Sequence, residues 1–213
     1  ANLNASGKRK TGSITGFRQI DEAGGFQQTD LIIVAAESSQ GKTSFAIGAA
    51  NEQANHGMPI AFYSIEMTAE QIVSRMLAPT SHIPSNVILN RPMTASQFAN
   101  YDAAMHKVEG LPIYFDENST MSTDGIIASI RTMVIKHGIK GAYVDYLQLL
   151  RDNERGKTEE QIIASSARRF KNLAKELNIF IVLLSQLSRD KDGNHVPTTN
   201  RLRSSGQIEE AAD

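Results

Sequence analysis

The apolar run Leu31-Ile-Ile-Val-Ala-Ala36 leads into a polar, small-residue turn, Glu37-Ser-Ser-Gln-Gly41, and then into Lys42-Thr43-Ser44 at the head of a helical apolar pattern. A strand that is apolar at successive positions, rather than at alternate ones, belongs inside a sheet covered on both faces. A strand that passes through a glycine turn straight into a helix opens a parallel βα unit. The same order brings backbone N–H groups and a helix N-terminus together, which makes a polyphosphate site. Ala36, Glu37, Ser38, Ser39, Gln40, Gly41, Lys42, Thr43 and Ser44 are therefore the expected nucleotide-binding segment. Gly41 lets the backbone approach the phosphates, Lys42 reaches the β- and γ-phosphates, and Thr43 offers its hydroxyl to Mg²⁺. The usual pattern begins with Gly, and position 36 is Ala.

The rest of the chain repeats the alternation. Strand-like apolar runs fall at residues 31–36, 60–65, 113–115, 142–150 and 179–187. Helical patterns lie between them, from Thr43 to about Asn55, from Thr68, from about Thr94 to Val108, through Ile126, Ile127, Ile130, Met133 and Val134, and from about Thr158 to Leu177. Thr68 with Gln71 has the spacing of a capping box, and Gly138 stands where a helix-ending glycine belongs. Ile162, Ile163, Phe170, Leu173, Ala174 and Leu177 form one stripe on the last helix, while Arg168, Arg169, Lys171 and Lys175 read as its solvated face. Strand alternating with helix predicts an α/β fold with a mostly parallel central sheet flanked by helices and a ligand at the carboxyl ends of the strands.

Composition limits the function classes. A chain of 213 residues with 40% hydrophobic and 21% charged residues is long enough for one well-buried core. It contains no cysteine, which excludes disulfides, thiolate metal sites and cysteine nucleophiles. The formal charge of −1 gives no overall attraction to nucleic acid, so any DNA contact must come from a local patch. Apolar runs such as residues 179–184 are too short to span a bilayer, and residues 1–30 lack the apolar segment of a signal peptide. A cytoplasmic protein with no membrane partner is the expectation. Residues 1–12 read as the end of a linker and 13–213 as one nucleotide-binding domain. Residues 189–205 read as a functional or disordered loop, and the absence of a closing strand suggests a domain truncated before its last strands.

Polar residues stand where three of the strands end. Glu66 follows the run at 60–65, Asp145 follows Gly141-Ala-Tyr-Val144, and Gln186 follows Ile181-Val-Leu-Leu-Ser185. A carboxylate after a strand beside a phosphate loop can hold Mg²⁺ through water, a role that fits Asp145. A second carboxylate is needed to orient and deprotonate the attacking water, which points to Glu66. An amide such as Gln186 can hydrogen-bond the γ-phosphate or that water. Asp116 and Glu117 form a fourth acidic strand end, read as a loop and cap rather than as part of the site.

Taken together, these residues resemble the ATPase domain of the DnaB-type replicative DNA helicases, a RecA-like P-loop family. The resemblance runs in order through Thr15-Gly16-Phe17 with Ile20-Asp21 and Gly24-Gly25, the phosphate loop that in this family also begins with Ala, Ser64-Ile65-Glu66-Met67, and Arg75. It continues through Val144-Asp145-Tyr146-Leu147-Gln148-Leu149, Leu184-Ser185-Gln186-Leu187-Ser188-Arg189, and Leu202-Arg203-Ser204-Ser205-Gly206-Gln-Ile208-Glu209. It implies Glu66, Lys42 and Gln186 as catalytic residues and Arg75 as an arginine near the nucleotide. It further implies ATP and Mg²⁺ as cofactors, Thr43 and Asp145 at the metal, and Arg203, Ser204 and Gly206 on the backbone of single-stranded DNA. The family usually has Asp at position 201 and Glu at 204, where this chain has Arg201 and Ser204.

The implied activity is 5′→3′ translocation and duplex unwinding, driven by ATP hydrolysed between the subunits of a homo-hexamer. Primase and a helicase loader are implied partners through regions outside this chain, as is an arginine finger given to the neighbour's ATP. The alternative is a RecA-like recombination, repair or regulatory ATPase that binds DNA without processive unwinding, or a slowly hydrolysing loading module.

Overall fold

The computed structural model describes residues 12–116, 122–145, 158–187 and 211–213. Within them, five parallel strands form one sheet in the order β1-β5-β4-β2-β3: β1 (Leu31–Ala36), β2 (Ile60–Ser64), β3 (Ile113–Phe115), β4 (Gly141–Asp145) and β5 (Phe180–Gln186). The helices are α1 (Arg18–Glu22), α2 (Lys42–Asn55), α3 (Ala69–Ser81), α4 (Ser85–Asn90), α5 (Ala95–Val108), α6 (Thr123–His137) and α7 (Glu159–Leu177).

The unbroken apolar strands follow from a sheet with a core on each face. Tyr63, Val144, Ile181 and Leu183 point toward Ile126 and Ile130 of α6 and Ile163 and Phe170 of α7. Their chain neighbours Phe62, Tyr143, Val182 and Leu184 point the other way, toward Ala46 and Ala50 of α2 and Ile72 and Met76 of α3. Successive side chains alternate across a strand, so both alternations must be apolar when both faces are covered. Each such residue contributes roughly 1.5–3 kcal/mol on burial. β4 packs tightly enough to need a glycine, since a Cβ on Gly141 would lie 2.0 Å from the Phe180 ring.

The starts of α3, α5, α6 and α7 are set by hydroxyls. Thr68, Thr94 and Thr158 each close a capping box with the glutamine three residues on, and Ser122 accepts the Gly125 N–H at 3.1 Å. Gly138, at φ 64°, ends α6 in the left-handed conformation expected of it. Periodicity in the sequence marks the five longer helices and passes over α1 and α4. These have five and six residues, bury no side chain and lack a side-chain cap, so they carry no amphipathic signal. The stretch read as strand at 142–150 is strand as far as Asp145, and residues 146–150 lie outside the described residues.

A buried polar chain ties the segment before β1 to the sheet. The Tyr143 hydroxyl donates to Gln53 Oε1 at 2.7 Å, Gln53 Nε2 donates to Ser13 Oγ at 2.9 Å, and Ser13 donates to the Phe26 carbonyl at 3.3 Å. Phe17 stacks on Phe45 of α2 with ring centroids 4.4 Å apart. The basic side of α7 is more structured than a merely solvated face. Arg169 pairs with Asp124 of α6, and Lys171 pairs with Asp213 and donates to the Thr29 carbonyl at 3.0 Å. Among the described residues no helix is long and apolar enough to cross a membrane.

Candidate nucleotide-binding site

β1 runs into the loop at 37–41, and α2 starts from Gly41 at φ 87° and ψ 15°. That left-handed conformation costs a residue with a Cβ about 1–2 kcal/mol, so glycine is the natural choice. Among the described residues nothing beyond the adjoining backbone lies within 4 Å of the place a Cβ would take, so backbone geometry rather than crowding requires glycine here. Ser39 also adopts positive φ, at 64°. Unlike α3, α5, α6 and α7, α2 has no side-chain cap, which leaves its first-turn N–H groups available to an anion. Lys42 bends back over the loop, and its Nζ donates to the carbonyls of Ala36 at 3.1 Å and Glu37 at 3.2 Å. Gln40 closes the turn through its N–H to the Glu37 carbonyl at 3.3 Å.

Parallel pairing brings the strand ends to one edge. Ala36 pairs with Gln186, and Ser64 pairs with Asp145. The pairing continues past the strands, with the Leu187 N–H on the Ala36 carbonyl and the Ile65 N–H on the Asp145 carbonyl, both at 3.0 Å. Around this edge lies a cavity of about 510 Å³. Ser38, Ser39, Gly41, Lys42, Thr43 and Ser44 line one side, and Glu66, Met67, Arg75, Asp145 and Gln186 line the other. Positions read from four separate stretches of sequence thus converge on one space. Ser44 and Arg75 also border a neighbouring cavity of about 450 Å³, walled by Ile47, Met76 and Pro79. Arg203, Ser204 and Gly206 lie outside the described residues.

Asp145 is 2% exposed, and its Oδ2 accepts the Thr43 hydroxyl at 2.7 Å. Burial pushes its carboxyl above the ordinary value, and the nearby Glu66 carboxylate adds to that push. The Thr43 hydrogen bond, Lys42 and Arg75 pull the other way without reversing the shift. Glu66, by contrast, is exposed on the turn between β2 and α3. Asp116 accepts a hydrogen bond from Ser129, which in turn accepts the Tyr63 hydroxyl at 3.3 Å. That accords with a role in the loop and its packing.

The donor set suits a hard divalent cation. Thr43 and Asp145 supply a hydroxyl and a buried carboxylate, both oxygen ligands of the kind Mg²⁺ prefers. Among the described residues no group of three or more His, Cys, Asp or Glu is placed to hold a metal. A hydroxyl ligand and a carboxylate acting through water therefore fit an ion that fills the rest of its shell with water and phosphate oxygens, as Mg²⁺ commonly does.

Met67 and Ser64 are the site residues to which sequence reasoning gave no role of their own. Met67 lines the cavity. Ser64 holds the Met67 N–H on its hydroxyl at 3.0 Å, and the signal available was a serine beginning a short turn ahead of a carboxylate.

The model of the DnaB-like helicase C-terminal domain matches residues 12–213. The chain is 35% identical over 208 residues to the replicative DNA helicase DnaB of Geobacillus stearothermophilus, a match covering 95% of this chain and 46% of that protein. The replicative DNA helicase DnaC of Bacillus subtilis matches at the same identity and coverage. The chain thus spans about half the length of these relatives. Among solved structures, one described as an ATPase domain superposes with a TM-score of 0.89 at 26% identity, covering 96% of this chain and 75% of that one. A DnaB-like replicative helicase described with its primase interactions superposes at 0.89 and 27% identity, covering 98% of this chain and 51% of that one. With its RecA-like α/β fold, this chain belongs to the family of DnaB-like helicase C-terminal domains.

Proposed function

We propose that this domain is the ATP-hydrolysing motor of a replicative DNA helicase, moving 5′→3′ on single-stranded DNA to unwind duplex. The observation that carries the reading is the Thr43–Asp145 hydrogen bond at the uncapped start of α2, in a cavity bordered opposite by Glu66, Arg75 and Gln186. The α2 N–H groups and Lys42 bind the triphosphate, while the second cavity beside Ser44 and Arg75 has room for a nucleoside. Thr43 would hold Mg²⁺ directly and Asp145 through water, and the ion would supply charge neutralisation to the phosphate oxygens. Glu66 accepts the proton of the attacking water as its oxygen bonds to the γ-phosphorus and the bond to the β,γ-bridging oxygen breaks. Gln186 hydrogen-bonds the γ-phosphate and distinguishes its presence from its loss.

On this reading Arg203, Ser204 and Gly206 grip one DNA strand. A homo-hexamer presents several copies of that loop to a single backbone, so few charges per subunit suffice. Primase and a loader are the further partners proposed, and the cytoplasm is the proposed compartment. The names of the relatives support this reading, as does the solved neighbour described with primase.

The test is ATP hydrolysis and strand displacement by the intact protein. Single-stranded DNA should stimulate hydrolysis, and Glu66→Gln should keep ATP binding while lowering turnover about a hundredfold or more. Equal hydrolysis with and without DNA would overturn the motor reading and favour a regulatory ATPase.

A further inference from the structure

The turn that carries Glu66 is held from both sides, and one of the two holds is a side chain. On one side the Ile65 N–H bonds the Asp145 carbonyl at 3.0 Å, fixing the residue before Glu66 to β4. On the other the Met67 N–H bonds the Ser64 hydroxyl at 3.0 Å, fixing the residue after it. Ser64 is itself anchored, because it is the last residue of β2 and pairs with Asp145 across the sheet. The next residue, Thr68, starts α3 with its capping box. Glu66 is thus an exposed residue on a short bridge from Ser64 to Thr68, with the N–H groups of the residues on either side of it hydrogen-bonded.

We infer that Ser64 is a positioning residue for ATP hydrolysis, its hydroxyl holding the Met67 N–H so that the turn aims the Glu66 carboxylate into the phosphate cavity. The inference rests on the proposed role of Glu66. Ser64 touches no reacting atom in this role and acts through Glu66 alone. Without its hydroxyl the Met67 N–H loses its partner, and the turn relaxes toward another conformation. A general base displaced by about an ångström costs on the order of a hundredfold in rate, whereas phosphate binding at Lys42 and α2 does not depend on this turn.

The experiment compares Ser64→Ala, Ser64→Thr, Glu66→Gln and the double variant Ser64→Ala/Glu66→Gln in the intact protein. Thermal melts establish that each is folded, and nucleotide affinity is measured by equilibrium binding alongside kcat. Ser64→Ala should lower kcat about tenfold or more with ATP affinity within about twofold of the parent. Ser64→Thr, which keeps the hydroxyl and suits a strand end, should restore most of kcat. Ser64→Ala should cost nothing further in the Glu66→Gln background, since residues acting as a unit are non-additive.

A Ser64→Ala enzyme with parental kcat would overturn the inference, as would an equal loss in the Glu66→Gln background or failure of threonine to restore activity. Full turnover by Glu66→Gln would remove the catalytic role of Glu66 itself, and the inference with it. A slow Glu66→Gln beside an unimpaired Ser64→Ala would remove only the inference.

Discussion

Replacing Asp145 by asparagine should make the nucleotide-free fold more stable while abolishing its activity. Asp145 is 2% exposed, and burial together with the Glu66 carboxylate raises its pKa, so the fold prefers the protonated acid. Its favourable contribution is then full below the ordinary aspartate value, near 4, and is lost as pH rises through the higher folded value. At neutral pH the ionised carboxylate is a net cost, because Thr43, Lys42 and Arg75 offset desolvation only in part. Asparagine keeps the shape and an acceptor for the Thr43 hydroxyl, now at 2.7 Å from Oδ2, and removes the charge. Relieving a partly compensated buried charge is worth about 1–2 kcal/mol, which in a domain of this size is about 2–8 °C in Tm.

The assay is differential scanning calorimetry of parent and Asp145→Asn from pH 4.5 to 7.5. The gap in Tm should open with rising pH and close toward pH 4. With saturating Mg·ATP the order should reverse, since only the parent gains strongly from binding. A variant less stable than the parent at pH 7 without nucleotide, or a gap independent of pH, would refute the electrostatic argument.

Three further outcomes test other links. Lys42→Ala should lose nucleotide binding or turnover, and unchanged turnover would remove the phosphate-loop assignment. Tyr143→Phe strips the partner from buried Gln53 Oε1 and should cost about 1–3 kcal/mol by urea unfolding; parental stability would mean that the buried chain to Ser13 holds nothing. Gly141→Ala sets a methyl against the Phe180 ring and should cost about 1–3 kcal/mol, recovered in part by Phe180→Leu. A fully stable Gly141→Ala would show that the β4–β5 packing yields easily.

The alternation that organises the fold was legible in sequence because each signal was local. Five apolar runs marked the strands, the Thr68–Gln71 spacing marked the start of α3, and Gly41 and Gly138 stand at positive φ. α1 and α4 were silent because neither buries a face. The resemblance to the family supplied the expected roles of residues that pattern alone left open.

Sequence by itself determined which residue types were present at the strand ends, together with their order along the chain. Which of them meet was a tertiary decision. Thr43 and Asp145 are 102 positions apart, and their hydrogen bond exists because parallel pairing puts β4 between β5 and β2, with its end at the same edge as β1. Burial of Asp145 and the raised pKa that follows were decided the same way, by packing on both faces of the sheet. So was the hold of Ser64 on Met67, since whether a serine hydroxyl turns to its own backbone depends on what surrounds the turn. Local pattern writes the elements, whereas proximity between distant residues depends on strand order and register, which only the folded sheet sets.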